Sequence, residues 1–115
     1  MSRMNKTHLL SVERLCSGQE RIEELLSRPG LRVERIVSMQ ASSPPDFWYD
    51  QDWDEWVAVL AGCGTLLFAD GPEHVTLQAG EAILIPAHCR HRVESTDPDN
   101  ATIWLALHFP PTEDK

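Results

Sequence analysis

From Phe47 to Asp70 the pattern of polar and apolar positions changes character part-way, and the change singles out one residue. Odd positions from 49 to 59 read Tyr, Gln, Trp, Glu, Val, Val, and even positions from 50 to 58 read Asp, Asp, Asp, Trp, Ala. Successive side chains of a strand point to opposite faces, so a strand here shows Asp50, Asp52 and Asp54 to water and Tyr49, Gln51 and Glu55 on the face of Val57 and Val59. Glu55 is the anomaly, because an unpaired buried charge is costly. It is either partnered inside, by a metal or a hydrogen-bond donor, or placed at the mouth of a cavity.

The rest of the chain reads as short strands. Residues 1–17 are polar and unpatterned, a lead-in held loosely. Gln19 to Leu26 fits either a helical face (Ile22, Leu25, Leu26) or a strand. Pro29-Gly30 has the chemistry of a type II turn, and Leu31–Met39 is β-branched and alternating, which favours a hairpin. Ala41–Pro45 is a loop. Gly62-Cys63-Gly64 separates Trp56–Ala61 from Thr65–Ala69, and Asp70-Gly71 is a preferred hairpin pair. Glu73–Gln78 alternates with Val75 and Leu77 on one face, Ala82–Ile85 stops at Pro86, and His91–Ser95 ends at the polar turn Asp97–Asn100. Ala101–Phe109 is apolar on both faces, which predicts a central strand, and residues 112–115 are a tail. Eight or nine short strands with no convincing long helix predict one all-β domain over 18–111, a sandwich or barrel.

Composition narrows the partners. The 115 residues are 42% hydrophobic and 24% charged, enough for one domain with a real core. Ten basic against eighteen acidic residues leave a net charge of −8. That balance argues against nucleic acid and against an anionic membrane surface. No apolar run has the length of a membrane span, and the N-terminus lacks a signal-peptide core. The three cysteines, Cys16, Cys63 and Cys89, have no CxxC spacing and point to a reducing cytoplasm.

Two spacings carry a family resemblance. Glu55 is followed by six residues and Gly62, and Gly80 by five residues, Pro86, one residue, His88, two residues and His91. These resemble the cupin motifs G-x5-H-x-H-x3-E-x6-G and G-x5-P-x-G-x2-H, with Tyr49 and Gln51 on the two histidine positions of the first and His88 on a glycine position of the second. The resemblance spans about Ser43 to Phe109 and implies a double-stranded β-helix, the jelly-roll barrel. In metal-binding cupins these positions hold a divalent ion, so the implied ligands are Gln51, Glu55 and His91 with Tyr49, for Zn, Ni, Mn or Fe. The set lacks the two histidines and carboxylate of non-haem iron oxygenases. Glu55 and His91 paired with each other, or with Tyr49 and Gln51, as a satisfied polar cluster is the competing reading.

Other residues carry weaker signals. Asp50, Asp52 and Asp54 mimic the start of an EF-hand loop, but its sixth and twelfth positions are Glu55 and Ala61, so a solvated strand face accounts for them better. Cys89 reads as a buried inert thiol on the face of His91. His108 reads as a hydrogen-bonded histidine at the sheet surface, or else as part of the cavity rim. Trp48, Trp53 and Trp56 are expected in the core, in an interface or along a ligand pocket. Arg90 and Arg92 should face away from the cavity.

Three functions fit. One is a small-molecule-binding sensor or auxiliary barrel, with or without a metal, using Tyr49, Gln51, Trp53 and His108 beside Glu55 and His91. Another is an isomerase- or lyase-type enzyme in which Glu55 and His91 share acid–base work. The last is a structural module that forms a homodimer through a sheet edge, since edge strands need covering.

Overall fold

The computed structural model describes residues 4–71 and 73–112. The ends of the expected lead-in and tail, residues 1–3 and 113–115, lie outside the described residues. Strands form where the sequence alternates, and eight follow in order: β1 (Glu20–Arg28), β2 (Leu31–Ser38), β3 (Asp54–Ala61), β4 (Cys63–Phe68), β5 (Glu73–Gln78), β6 (Ala82–Ile85), β7 (His91–Thr96) and β8 (Thr102–Phe109). They build two antiparallel sheets, ordered β1-β2-β8-β3-β6 and β5-β4-β7. The chain is thus an all-β jelly-roll barrel.

The ambiguous segment before Pro29 is strand, not helix. β1 pairs with β2 from Glu20↔Ser38 to Arg28↔Leu31, and Gly30 takes the positive φ of 79° that the turn requires. Turn chemistry and a ready β-branched partner outweigh the weak helical spacing. The doubly apolar β8 lies centrally between β2 and β3, where both edges are hydrogen-bonded.

The single strand expected from Tyr49 to Val59 is broken. β3 begins only at Asp54, while Tyr49 makes an isolated bridge to His91, with backbone hydrogen bonds of 2.7 and 3.1 Å. Tyr49 therefore belongs with the smaller sheet and β3 with the larger, and residues 50–53 turn the chain between them. The aspartates correspondingly do more than face water. Asp54 accepts a hydrogen bond from the Ala87 N–H at 2.8 Å, and Asp50 and Asp52 lie 2.8 and 3.4 Å from the two ring nitrogens of His88.

Register across the larger sheet stacks the inward side chains in rows. Arg32, His108, Glu55 and Ile85 form one row, Glu34, Ala106, Val57 and Ile83 the next, and Ile36, Trp104 and Val59 the third. The barrel is thus polar at one end and apolar toward the other. Val57, Val59, Leu66, Leu77, Ile85, Trp104 and Ala106 form the buried core. Removing such area from water stabilises the fold by about 25 cal/mol per Å².

Two glycines are required by close approach. Gly62 has φ +76°, and a Cβ there would come within 2.7 Å of the Ala101 carbonyl oxygen. At Gly64 a Cβ would sit 2.3 Å from the indole of Trp104. Because that indole is boxed in by the core, Gly64→Ala should destabilise the protein by roughly 1–3 kcal/mol, the usual range for overpacking. Urea unfolding checks this, and an unchanged midpoint contradicts the packing described.

Candidate functional site

The polar row of β3 and β8 meets the start of β7 across the barrel. Glu55 is 9% exposed, and His91 and His108 are each 5% exposed. His91 Nε2 lies 3.6 Å from Glu55 Oε1, and the Gln51 side-chain amide donates to the same oxygen at 3.1 Å. His91 Nδ1 lies 2.9 Å from the Cys89 carbonyl oxygen, which only a protonated Nδ1 can use as an acceptor. That bond sets the ring orientation and aims Nε2 at Glu55. Tyr49 stacks on the same imidazole, centroids 5.4 Å apart at 27°, and Phe68 covers it at 5.9 Å.

His108 reaches the site through register, since it pairs directly with Glu55 on the neighbouring strand. It is not a surface histidine. It lines the cavity, with Nε2 at 3.3 Å from Glu34 Oε1 in poor alignment, and neither ring nitrogen has a hydrogen-bond partner among the described residues.

The cavity between the sheets has a volume of about 270 Å³. Its polar lining includes Tyr49, Gln51, Glu55, His91 and His108, together with Glu34 and Arg32, and its apolar lining includes Val57, Leu66 and Trp104. That volume sits just below the usual range of small-molecule pockets, about 300–1,000 Å³. Trp53 is half-buried in the bend before β3 and lies outside the lining. Trp56 points outward and is 39% exposed, and Trp48 carries the Arg90 guanidinium 6.0 Å from its ring centre. The tryptophan on the cavity wall is Trp104 instead, because the even positions of β8 face inward.

Burial acts to raise the Glu55 carboxyl, but His91, His108 and the Gln51 amide together outweigh it and hold the group below its ordinary value of 4.5. Glu55 is thus an ionised, proton-accepting group through the neutral range. Burial raises the Cys89 thiol, assisted by Asp70, and the side chain packs against the core, as an inert thiol does.

The cupin-domain family model matches residues 36–108. A protein from Ralstonia eutropha JMP134, provisionally named a mannose-6-phosphate isomerase, superposes with a TM-score of 0.86 at 38% identity, covering 92% of this chain and 98% of the other. The chain belongs to the cupin family. Among more distant cupin folds, an RmlC-like cupin from Desulfovibrio desulfuricans has a TM-score of 0.74 at 17% identity, covering 96% of this chain and 100% of its own. The polyketide cyclase RemF from Streptomyces resistomycificus has a TM-score of 0.70 at 21%, covering 92% and 79%. No curated protein matches the sequence.

The cupin motif positions have physical reasons here. Gly62 and Gly80 adopt positive φ of 76° and 93°. His88, on a motif glycine position, adopts φ +64° as well, and its ring is tied to Asp50 and Asp52. The His88 N–H also donates to the Gln51 carbonyl at 2.8 Å, so this turn helps to seat the bend that carries Gln51.

The donor set does not fit a resident divalent ion of the kind many cupins hold. Among the described residues no three His, Cys, Asp or Glu side chains converge as ligands. Each imidazole faces its own carboxylate, His91 toward Glu55 and His108 toward Glu34. The Gln51 amide nitrogen is directed at Glu55, and neither an amide nor a phenol is a strong donor for Zn, Ni, Mn or Fe.

Glu34, Arg32 and Trp104 went unnoticed in the sequence. Arg32, Glu34 and Ile36 do alternate with Val33, Arg35 and Val37, but both faces carry a charge. Arg35 is in fact buried on the other face, bonded to Glu23 and the Leu9 carbonyl. Only the register with β8 tells which face is inside.

A carboxyl whose folded value is depressed adds stability above its unfolded value and loses it as the pH falls through the folded value. Wild type should therefore lose melting temperature more steeply than Glu55→Gln between about pH 5 and 3. Parallel acid limbs for the two proteins would contradict the pairing of Glu55 with His91 and His108.

Proposed function

We propose that this cupin binds a small molecule in the barrel cavity, held at the polar end by Glu55, His91, Gln51, Tyr49 and His108. The observation that carries the reading is a cavity with an apolar floor and a cluster of buried titratable groups converging at one end, the usual anatomy of a binding site. A barrel serving only as a structural or dimerising module has no use for an ionised carboxylate and two imidazoles on its inner wall. Trp53, outside the cavity lining, makes none of these contacts.

A second reading, acid–base catalysis of an isomerase or lyase type, is favoured by one detail. Glu55 is ionised and sits 3.6 Å from a histidine whose orientation the Cys89 carbonyl sets, so a base and a potential proton donor share one wall. In that reading Glu55 takes a proton from the bound molecule and a doubly protonated His91 returns the one on Nε2, after which Glu55 passes its proton across the 3.6 Å to Nε2 and restores the pair, with the Gln51 amide holding the carboxylate in place. The name of the Ralstonia protein invites a sugar phosphate as substrate. This cavity offers little to a phosphate, because Arg32 lies 3.2 Å from Glu34 and is already paired.

Thermal-shift screening with amines, polyols, carboxylates and sugar phosphates should find a saturating stabiliser, since a ligand at a hundred times its Kd adds about 2.7 kcal/mol to the native state. The shift should shrink in Glu55→Gln and His91→Ala, and a panel with no stabiliser would refute the binding function. If the stabiliser is turned over, Glu55→Gln should abolish turnover while still folding, and surviving turnover would remove Glu55 from catalysis. Elemental analysis of protein purified without chelator should give substoichiometric Zn, Ni, Mn and Fe. A full equivalent of one metal, lost in His91→Ala, would reverse the conclusion drawn from the donor set.

A further inference from the structure

The cavity wall carries an excess of carboxylate. Glu20, Glu34 and Glu55 all line it, and Arg32 is the one Lys or Arg among its described lining residues. Arg32 stands at the rim, its side chain 41% exposed, with Nε 3.2 Å from Glu34. It therefore neutralises part of Glu34 and is not itself free for an anionic ligand. The carboxylates act on the same space. After burial itself, Glu20, Glu55 and Glu34 raise the Tyr49 phenol above its ordinary value. Beyond them the wall turns apolar and aromatic, with Trp104, Val57 and Leu66. His108, 5% exposed and facing the cavity, has no hydrogen-bond partner at either ring nitrogen among the described residues, which marks a polar contact that the protein does not itself complete.

We propose that the cavity selects a small organic cation, an amine on an apolar or aromatic body, with its head between Glu55 and Glu34 and its body against Trp104, Val57 and Leu66. This deepens the binding function proposed above and rests on it. An ammonium donates to both carboxylates and to a ring nitrogen of His108 in its neutral form, and the indole of Trp104 on the same wall attracts the same charge. A carboxylate or phosphate placed there would be desolvated among like charges.

Four probes test it by calorimetry at low salt and about pH 8, above the ordinary histidine range. Benzylamine, benzyl alcohol and benzoate share one ring and differ in charge, and mannose 6-phosphate represents the sugar phosphates. Benzylamine should bind roughly tenfold or more tighter than benzoate, benzyl alcohol should fall between them, and mannose 6-phosphate should not saturate. Glu55→Gln and Glu34→Gln should each move the benzylamine-to-benzoate ratio toward one. Arg32→Gln, at the exposed rim, should widen it, which keeps the test open if a buried variant fails to fold. Benzoate or mannose 6-phosphate binding as tightly as benzylamine overturns the cation preference and leaves the binding function standing, as does a ratio that none of the variants moves. If none of the four binds while another compound raises the melting temperature, the ligand class alone is overturned. If nothing in either set binds, the binding function falls with it.

Discussion

An ionised carboxylate inside a small β-barrel has to be compensated, and much of the local architecture around β3 serves that requirement. Burial alone would drive the Glu55 carboxyl toward its neutral form. Two imidazoles and an amide prevent this, and each comes from a different part of the chain. His108 arrives through the β3–β8 register, His91 through the start of β7, and Gln51 through the bend that leaves the Tyr49–His91 bridge. Losing any one of these placements would leave a charge in the barrel with too few partners, so the fold and the site constrain each other.

The same compensation explains why the interior is divided. In the row nearest the bend, Arg32, His108 and Glu55 are polar, whereas two rows further along Ile36, Trp104 and Val59 pack as a core. A polar end opening on an apolar floor is the arrangement that the proposed binding of a small molecule would use for orientation and contact area. The two imidazole–carboxylate pairs then divide the site: His91–Glu55 is tied down by Cys89 and Gln51, while His108 retains unmet hydrogen-bonding capacity. The tied pair is held in one orientation, and the unmet imidazole keeps a ring nitrogen open to a further partner.

The turn at His88 shows how a motif position can change its occupant without losing its geometry. A left-handed backbone costs a non-glycine residue about 1–2 kcal/mol. Here His88 offsets part of that by contacts to Asp50 and Asp52, and its N–H supports Gln51. The Asp50 hydrogen bond raises the His88 imidazole, so this clamp is strongest below the ordinary histidine value of 6.5 and is lost as the pH rises through the raised one. Both partners are exposed, which keeps its contribution to stability small.

Alternation, turn chemistry and two motif spacings were enough to determine an all-β barrel, the hairpin at Pro29-Gly30 and the central place of the last strand, and they singled out Glu55 and His91, whose side chains meet at 3.6 Å. These are local properties, or fixed intervals along the chain. What sequence could not decide was which face of β2 turns inward, which tryptophan reaches the cavity, and whether His108 is a surface or a cavity residue. β2 carries charge on both faces, so alternation there is uninformative until pairing with β8 places Glu34 inside and Arg35 beneath the N-terminal segment. The break between Tyr49 and Asp54 was equally hidden, because whether a strand runs on or crosses to the other sheet depends on partners some forty residues away. Strand pairing is a long-range choice, and it alone brought the carboxylates and imidazoles to one end of the barrel.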